Sequence, residues 1–193
     1  MVDIVLDSSV LIGISRMSMK HIKYARKKEE KPLFEIRDMI LNGEINVVVP
    51  QTIYREIKRG KDHDKGLAQN FLNTFCEVLQ PSQYEKDKAL CVTDAYGNVP
   101  IEERTAIYHA EDYTQKNYDD ATIIAEVSVE QKIRKKHIPF ITANLRDVSD
   151  LKRINKINIR HGLPEIFICS LSRFKDAIYF AKREDKEFNN KTI

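Results

Sequence analysis

Apolar positions in this chain come in short β-branched runs, separated by longer stretches where they recur every three or four residues. Val2 to Leu6 is the first run and ends at Asp7. "INVVVP" gives a second, Ile45 to Val49, closed by Pro50; "IPFIT", Ile138 to Thr142, and "EIFICS", Glu165 to Ser170, give two more. None alternates cleanly between polar and apolar, which is the pattern of strands covered on both faces. Between the runs lie helical patterns. "LFEIRDMILNG" puts Leu33, Ile36, Ile40 and Leu41 on one stripe and stops at Gly43, a C-cap residue. "QTIYREIKRG" follows Pro50 and stops at Gly60, and from Asp64 to Leu79 the residues Leu67, Phe71, Leu72, Phe75 and Val78 share one side. "PIEERTAIYHAEDYTQKN" opens with Pro100, a favoured first-turn residue. "DDATIIAEVSVEQKIRKKH", Asp119 to His137, has acids at its start and bases at its end, as the helix dipole prefers. A closing helix is predicted from Ser172 to Arg183.

Strands separated by helices imply right-handed crossovers and a mainly parallel sheet. The expected fold is therefore α/β, three layers with a central sheet of four to five strands. A single domain over residues 1–193 is expected, with a helical insertion or cap at about 61–117. That interval, Lys61 to Asn117, reads as wholly helical and as adding no strand.

Composition changes this picture little. A chain of 193 residues is long enough for one substantial core, and 42% hydrophobic content argues against global disorder. The 32% charged content implies a heavily solvated surface, while a net charge of +3 neither demands nor excludes a nucleic-acid partner. Cys76, Cys91 and Cys169 have no metal-like spacing and sit among apolar neighbours, so buried free thiols in a reducing compartment are expected. The first residues lack a basic stretch followed by an apolar signal core, and no apolar run approaches the roughly 20 residues that span a bilayer. A soluble, cytoplasmic protein with no membrane partner is the expectation.

Candidate chemistry enters through the acids. Functional groups of an open parallel sheet gather beyond the carboxyl ends of its strands, which sorts the 29 acidic residues. Asp7 ends the first strand, Glu56 lies one to two turns into the helix after the second, and Asp120 stands at the N-terminal turn of a long helix. "TANLRD" after the "IPFIT" strand offers Asn144 and Asp147. Crowded carboxylates repel one another unless a hard divalent cation sits between them, and Mg²⁺ or Mn²⁺ suits oxygen ligands. The five histidines are scattered, with no zinc-like spacing, so the acids point to phosphodiester hydrolysis.

Four stretches carry a family resemblance. "IVLDSSVLIG" resembles the opening of PIN-domain nucleases, the VapC-like ribonucleases among them. "TIYREIKRG" is similar to their second acidic motif, "DDATIIAEVSV" to the third and "IPFITANLRDV" to the fourth. The four occur in family order between Val2 and Val148. The resemblance implies a PIN-like fold and a Mg²⁺- or Mn²⁺-dependent acidic site that cleaves RNA. It assigns metal or catalytic roles to Asp7, Glu56 and Asp120, with Ser9 and Thr142 as supporting residues. The fourth acid departs from the pattern, because Asn144 stands where Asp is usual and Asp147 lies three residues on. Small members of the family are often toxins neutralised by an antitoxin protein, and many form homodimers; the interval Lys61 to Asn117 exceeds what they usually carry.

Structural alternatives stand beside each assignment. Asp7 is also in a position to cap a helix, Glu56 to join ion pairs on an exposed face, and Asp147 to cap "VSDLKRINK". Asp119 is a better cap than Asp120, which shares a face with Ile123, Ile124 and Val127. Asp112 and Glu126 read as surface acids. The basic run "KHIKYARKKEEK" offers Lys20, Lys23, Arg26, Lys27 and Lys28 to an RNA backbone, whereas "KIRKKH" reads as a solvated face. A second class of function is a catalytically degenerate PIN-like module that holds nucleic acid or protein without cutting, motivated by Asn144. A phosphatase-like enzyme with Asp7 as nucleophile would want a second Asp two residues on, where Ser9 stands.

Overall fold

The structure is a computed structural model and describes residues 1–17, 30–59, 62–97, 115–143 and 151–190. Five parallel strands form its sheet: β1 (Val2–Leu6), β2 (Ile45–Val49), β3 (Cys76–Val78), β4 (Phe140–Thr142) and β5 (Ile168–Ser170), in the order β3-β2-β1-β4-β5. The central strand β1 pairs with β2 through Val2↔Ile45 and Ile4↔Val47, and with β4 through Val5↔Phe140 and Leu6↔Ile141. All five of its residues are buried, and a strand covered on both faces favours an unbroken apolar run over alternation.

Helices α1 (Ser8–Ser15) and α2 (Lys31–Leu41) connect β1 to β2, and α3 (Gln51–Arg59) with α4 (Asp62–Phe75) connect β2 to β3. Helices α5 (Gln83–Gly97) and α6 (Gln115–Arg134) precede β4, α7 (Leu151–Arg160) precedes β5, and α8 (Phe174–Asn190) follows a single 3₁₀ turn. Right-handed crossovers put the helices of the β1–β2 and β4–β5 connections on opposite faces. The packing agrees, since α1 contacts α2, α3 and α4, while α5 contacts α6 and α7. One core runs through both layers and includes Ile4, Leu6, Ile36, Ile53, Leu72, Ile124 and Ile141.

Strand β3 corrects the expectation that residues 61–117 add no strand. Its pairing with β2, Val47↔Cys76 and Val49↔Val78, extends the sheet by an edge that only tertiary contact reveals. The cysteines are free, but Cys91 is exposed and Cys76 half-buried, so only Cys169 matches the expected buried thiol. Burial pushes the Cys169 thiol up to about 11, which keeps it protonated and inert.

A buried polar chain ties the second layer together. Tyr96 Oη donates to Asn158 Oδ1 at 2.5 Å, Asn158 Nδ2 donates to Ser128 Oγ at 3.0 Å, and Ser128 Oγ donates to the Ile124 carbonyl at 2.8 Å. Each of these side chains is satisfied, as burial requires. Helices α2 and α7 end in left-handed caps at Gly43 and Gly162, where Glu44 N–H reaches the Met39 carbonyl and Leu163 N–H the Asn158 carbonyl. Helix α6 ends the same way at Lys135, with φ 51° and Lys136 N–H on the Gln131 carbonyl. A side chain in that conformation costs about 1 kcal/mol. Lys135→Gly is therefore expected to stabilise the protein by about 1 kcal/mol, read as a raised urea midpoint at unchanged slope. An unchanged or lower midpoint would refute the cap argument.

Candidate active site at the carboxyl edge of the sheet

The chain leaves β1 towards β2 on one side and returns through β4 on the other, so the topological switch point lies between β1 and β4. Crevices for ligands open at such points, beyond the carboxyl ends of the strands. Asp7 follows β1 there and Thr142 ends β4. The register continues into the site, because Asp7 N–H donates to the Ile141 carbonyl at 2.9 Å.

The Asp7 carboxylate collects three hydroxyls. Ser8 Oγ donates to Oδ1 at 3.3 Å, and Ser9 Oγ and Thr142 Oγ1 donate to Oδ2 at 2.9 and 3.0 Å. Asp7 also occupies the N-cap position of α1, with φ −58° and ψ 154°, and its carbonyl accepts from Leu11 N–H. Yet its side chain makes no capping hydrogen bond. The backbone of Asp7 thus starts the helix, while its carboxylate is held by three side-chain hydroxyls and not by the helix's own N–H groups. All three donors are neutral, and no ion pair reaches Asp7 from the described residues. The hydroxyls orient the carboxylate without cancelling its charge.

Helix α3 starts just beyond β2 and buries Thr52, Ile53 and Ile57. Glu56 falls on that inner side and is half-buried, while Arg55 and Lys58 face solvent. Helix α6 ends with Arg134 paired to Asp3 at the amino end of β1, so its first turns lie at the carboxyl edge. It begins at Gln115, which corrects the placement of Asp120 at an N-terminal turn and of Asp119 as a cap; both lie in the second turn. Asp120 does head the inner stripe with Ile123, Ile124 and Val127, all buried. Glu56 and Asp120 each take part in a polar or electrostatic interaction. Among the described residues, no three His, Cys, Asp or Glu side chains gather closely enough to hold one metal ion. Asn144, Asp147, Lys20, Lys23, Arg26, Lys27 and Lys28 lie outside the described residues.

Glu126 is the residue that reading the chain as a surface acid misses. Its Oε2 accepts from Thr52 N–H at 3.1 Å, its Oε1 accepts from Thr52 Oγ1 at 3.2 Å, and Arg55 Nη2 stands 4.0 Å from Oε1. The carboxylate thus caps α3 from α6 and clips together the helices that carry Glu56 and Asp120. The clip borders a cavity of about 290 Å³ between α3, α5 and α6. The sequence held one clue: Glu126 is the lone charge in the apolar stretch Ala121 to Val129.

Burial pushes the Glu126 carboxyl above its ordinary 4.5, outweighing the Thr52 hydrogen bonds and the Arg55 charge. A carboxyl raised on folding binds its proton more tightly in the folded state. Its contribution therefore weakens as pH rises from about 4.5 through the raised value. Glu126→Gln keeps an acceptor for Thr52 N–H and removes the buried charge. Its stability relative to wild type is expected to grow over that rise, measured by urea unfolding at several pH values. A difference independent of pH would contradict the assignment.

No family model matches this chain, and no curated protein matches it. Among solved structures, the chain is similar to VapBC2 from Rickettsia felis bound to a DNA fragment from their promoter. The likeness has 12% identity and a TM-score of 0.47, and covers 87% of this chain and 98% of the other.

Proposed function

We propose that this protein hydrolyses phosphodiester bonds of RNA at the carboxyl edge of its sheet, as an endoribonuclease dependent on Mg²⁺ or Mn²⁺. The observation that carries the reading is the Asp7 carboxylate, fixed by Ser8, Ser9 and Thr142 at the switch point with no ion pair to it from the described residues. A carboxylate oriented by neutral donors retains the charge that a hard cation seeks. Asp7 would hold the ion first, and Glu56 and Asp120 would have to draw in towards it, giving a shell of oxygen atoms that fits Mg²⁺ or Mn²⁺ better than softer metals. The described acids do not form a three-ligand group by themselves, and Asn144 or Asp147 would complete the shell. When bound, the ion supplies charge neutralisation at the phosphoryl group and makes a water more acidic. Ser9 and Thr142 would orient Asp7 throughout, and the Glu126 clip would hold α3 against α6.

The motif resemblance extends the proposal to partners. A toxin of this kind is neutralised by a small antitoxin protein, and homodimers are common in the family. Co-purification with a small protein encoded next to this chain would support that role, and a lone, active chain would argue for a stand-alone nuclease.

A second reading has its own support. Asn144 in place of an acid, and the lack of a three-acid group among the described residues, favour a degenerate module that binds without cutting. Incubation of RNA with protein and Mn²⁺, with EDTA as control, separates the two. Metal-dependent cleavage supports the nuclease, whereas Mn²⁺-independent RNA binding with intact RNA supports the module.

A further inference from the structure

Helix α7 carries four bases and no acid in ten residues, "LKRINKINIR". Lys152, Lys156 and Arg160 are exposed, and none has an ion-pair partner among the described residues. They follow one another at intervals of four, so they line one face with a rise of about 6 Å between successive charges. Arg153, beside them, is engaged elsewhere. The opposite face buries Ile154, Ile157 and Asn158.

The position of this stripe follows from how α7, which packs on α5, meets α6. Asn158 hydrogen-bonds Ser128, and Lys132 Nζ lies 3.6 Å from where a side chain on Gly162 would begin. Helices α6 and α7 each precede a strand of the same parallel sheet and so run in the same direction, with Asn158 opposite Ser128 as their register point. By that register Lys152 stands level with Thr122, about 3 Å along the axis from Asp120. The stripe therefore starts beside the α6 turn that carries a candidate ligand, and it descends from the carboxyl edge to Lys132. Lys132 is exposed as well and prolongs the stripe.

We infer that Lys152, Lys156 and Arg160 form a cationic rail for the phosphate backbone of single-stranded RNA and lead the strand to the Asp7 crevice. A strand is favoured over a compact anion because the charges form a line, not a pocket. The direction of travel rests on the proposed hydrolase reading; the binding surface does not.

The test is fluorescence anisotropy with a labelled 20-nucleotide single-stranded RNA in EDTA, where no metal-dependent hydrolysis occurs. The triple variant Lys152→Glu, Lys156→Glu, Arg160→Glu is expected to bind at least about tenfold more weakly than wild type at 50 mM salt. The dependence of log affinity on log salt is expected to flatten by about 2, since each phosphate contact on a single strand adds roughly 0.7. The variant Arg173→Glu, Lys182→Glu, Arg183→Glu on the opposite layer makes the same change of net charge away from the rail, and also breaks the Arg173–Asp176 and Arg183–Glu184 pairs. A milder triple change to Gln, checked for a wild-type melting curve, covers the event that charge reversal unfolds α7. Equal affinity of the rail variants and wild type, equal loss in the matched control, or no RNA binding by wild type would each overturn the rail. Wild-type protein that binds RNA through the rail but never cleaves it with Mn²⁺ would sink the hydrolase reading alone.

Discussion

Replacing Asp7 with Asn is expected to abolish metal-dependent RNA cleavage, a loss of at least about a thousandfold, while leaving the fold within about 1 kcal/mol of wild type. Asn matches the shape of Asp and keeps one oxygen for the hydroxyls of Ser9 and Thr142. Its amide can donate to Ser8 Oγ, which now donates to Oδ1. No capping bond is lost, because the Asp7 side chain makes none. What disappears is the negative charge. The same variant should lose stabilisation by metal. Wild type with Mn²⁺ at a hundred times its dissociation constant should gain about 2.7 kcal/mol by mass action, and Asp7→Asn almost nothing. Thermal melts with and without Mn²⁺ measure this directly. Full cleavage by the variant would defeat the assignment of Asp7, and equal Mn²⁺ stabilisation would place the ion elsewhere.

The second large effect lies at the opposite edge of the sheet. Arg134 Nη1 pairs with Asp3 at 3.3 Å, Nη2 with Glu77 at 2.5 Å and Nε with Glu130 at 2.5 Å. Asn46 Nδ2 adds donations of 3.0 Å to both Asp3 and Glu77. Asp3 is 4% exposed within an otherwise apolar strand, so its charge depends on these partners. Arg134→Met should destabilise the protein by about 3 kcal/mol, because it strands a buried carboxylate that keeps only Asn46 and Lys136, the latter at 3.5 Å. Arg134→Lys should recover little, since an ammonium lacks the fork that reaches three acids. The hydrogen bond from Arg134 chiefly holds the Glu77 carboxyl below its ordinary 4.5. Its stabilising share is therefore fully present above that value and is lost as pH falls through the lowered one. Urea midpoints at pH 7 and pH 3 should differ less in Arg134→Met than in wild type. A midpoint shift under about 1 kcal/mol would show that the network contributes little.

How legible the fold was depended on where the deciding interactions lie. Strands β1 and β2 have the bounds expected from their apolar runs, because burial on both faces is written into composition. The β4 and β5 runs extend too far at their amino ends. Residues Glu165 to Phe167 read as strand, yet Ile166 is claimed at both N–H and carbonyl by the Asn155 side chain, so β5 starts at Ile168. Strand β3 was hidden because the spacing of Phe71, Phe75 and Val78 continues a helical stripe, and Phe75 proves 43% exposed. Helix α5 left a readable trace in Ser82 and Glu85, which form a reciprocal cap: Ser82 N–H donates to Glu85, and Glu85 N–H to Ser82 Oγ.

The site was legible in part. Motif order singled out Asp7, Ser9 and Thr142 and tied Ser9 to the acid; that Thr142 reaches Asp7 as well is a tertiary contact the hydrogen bonds add. The role of Glu126 did not, because an acid that caps a neighbouring helix differs from a solvated one only through tertiary contact. The isolation of that acid in an apolar stretch was the available signal.

The bond from Thr142 to Asp7 spans 135 residues of chain. At ribosomal speeds of about 5–20 residues per second, roughly 7 to 27 s separate the synthesis of its two ends. Until the fourth strand leaves the exit tunnel, the Asp7 carboxylate therefore lacks its Thr142 donor and the Asp7 N–H lacks the Ile141 carbonyl. A protein able to cut RNA would in this way remain harmless to the message that encodes it for most of its own translation.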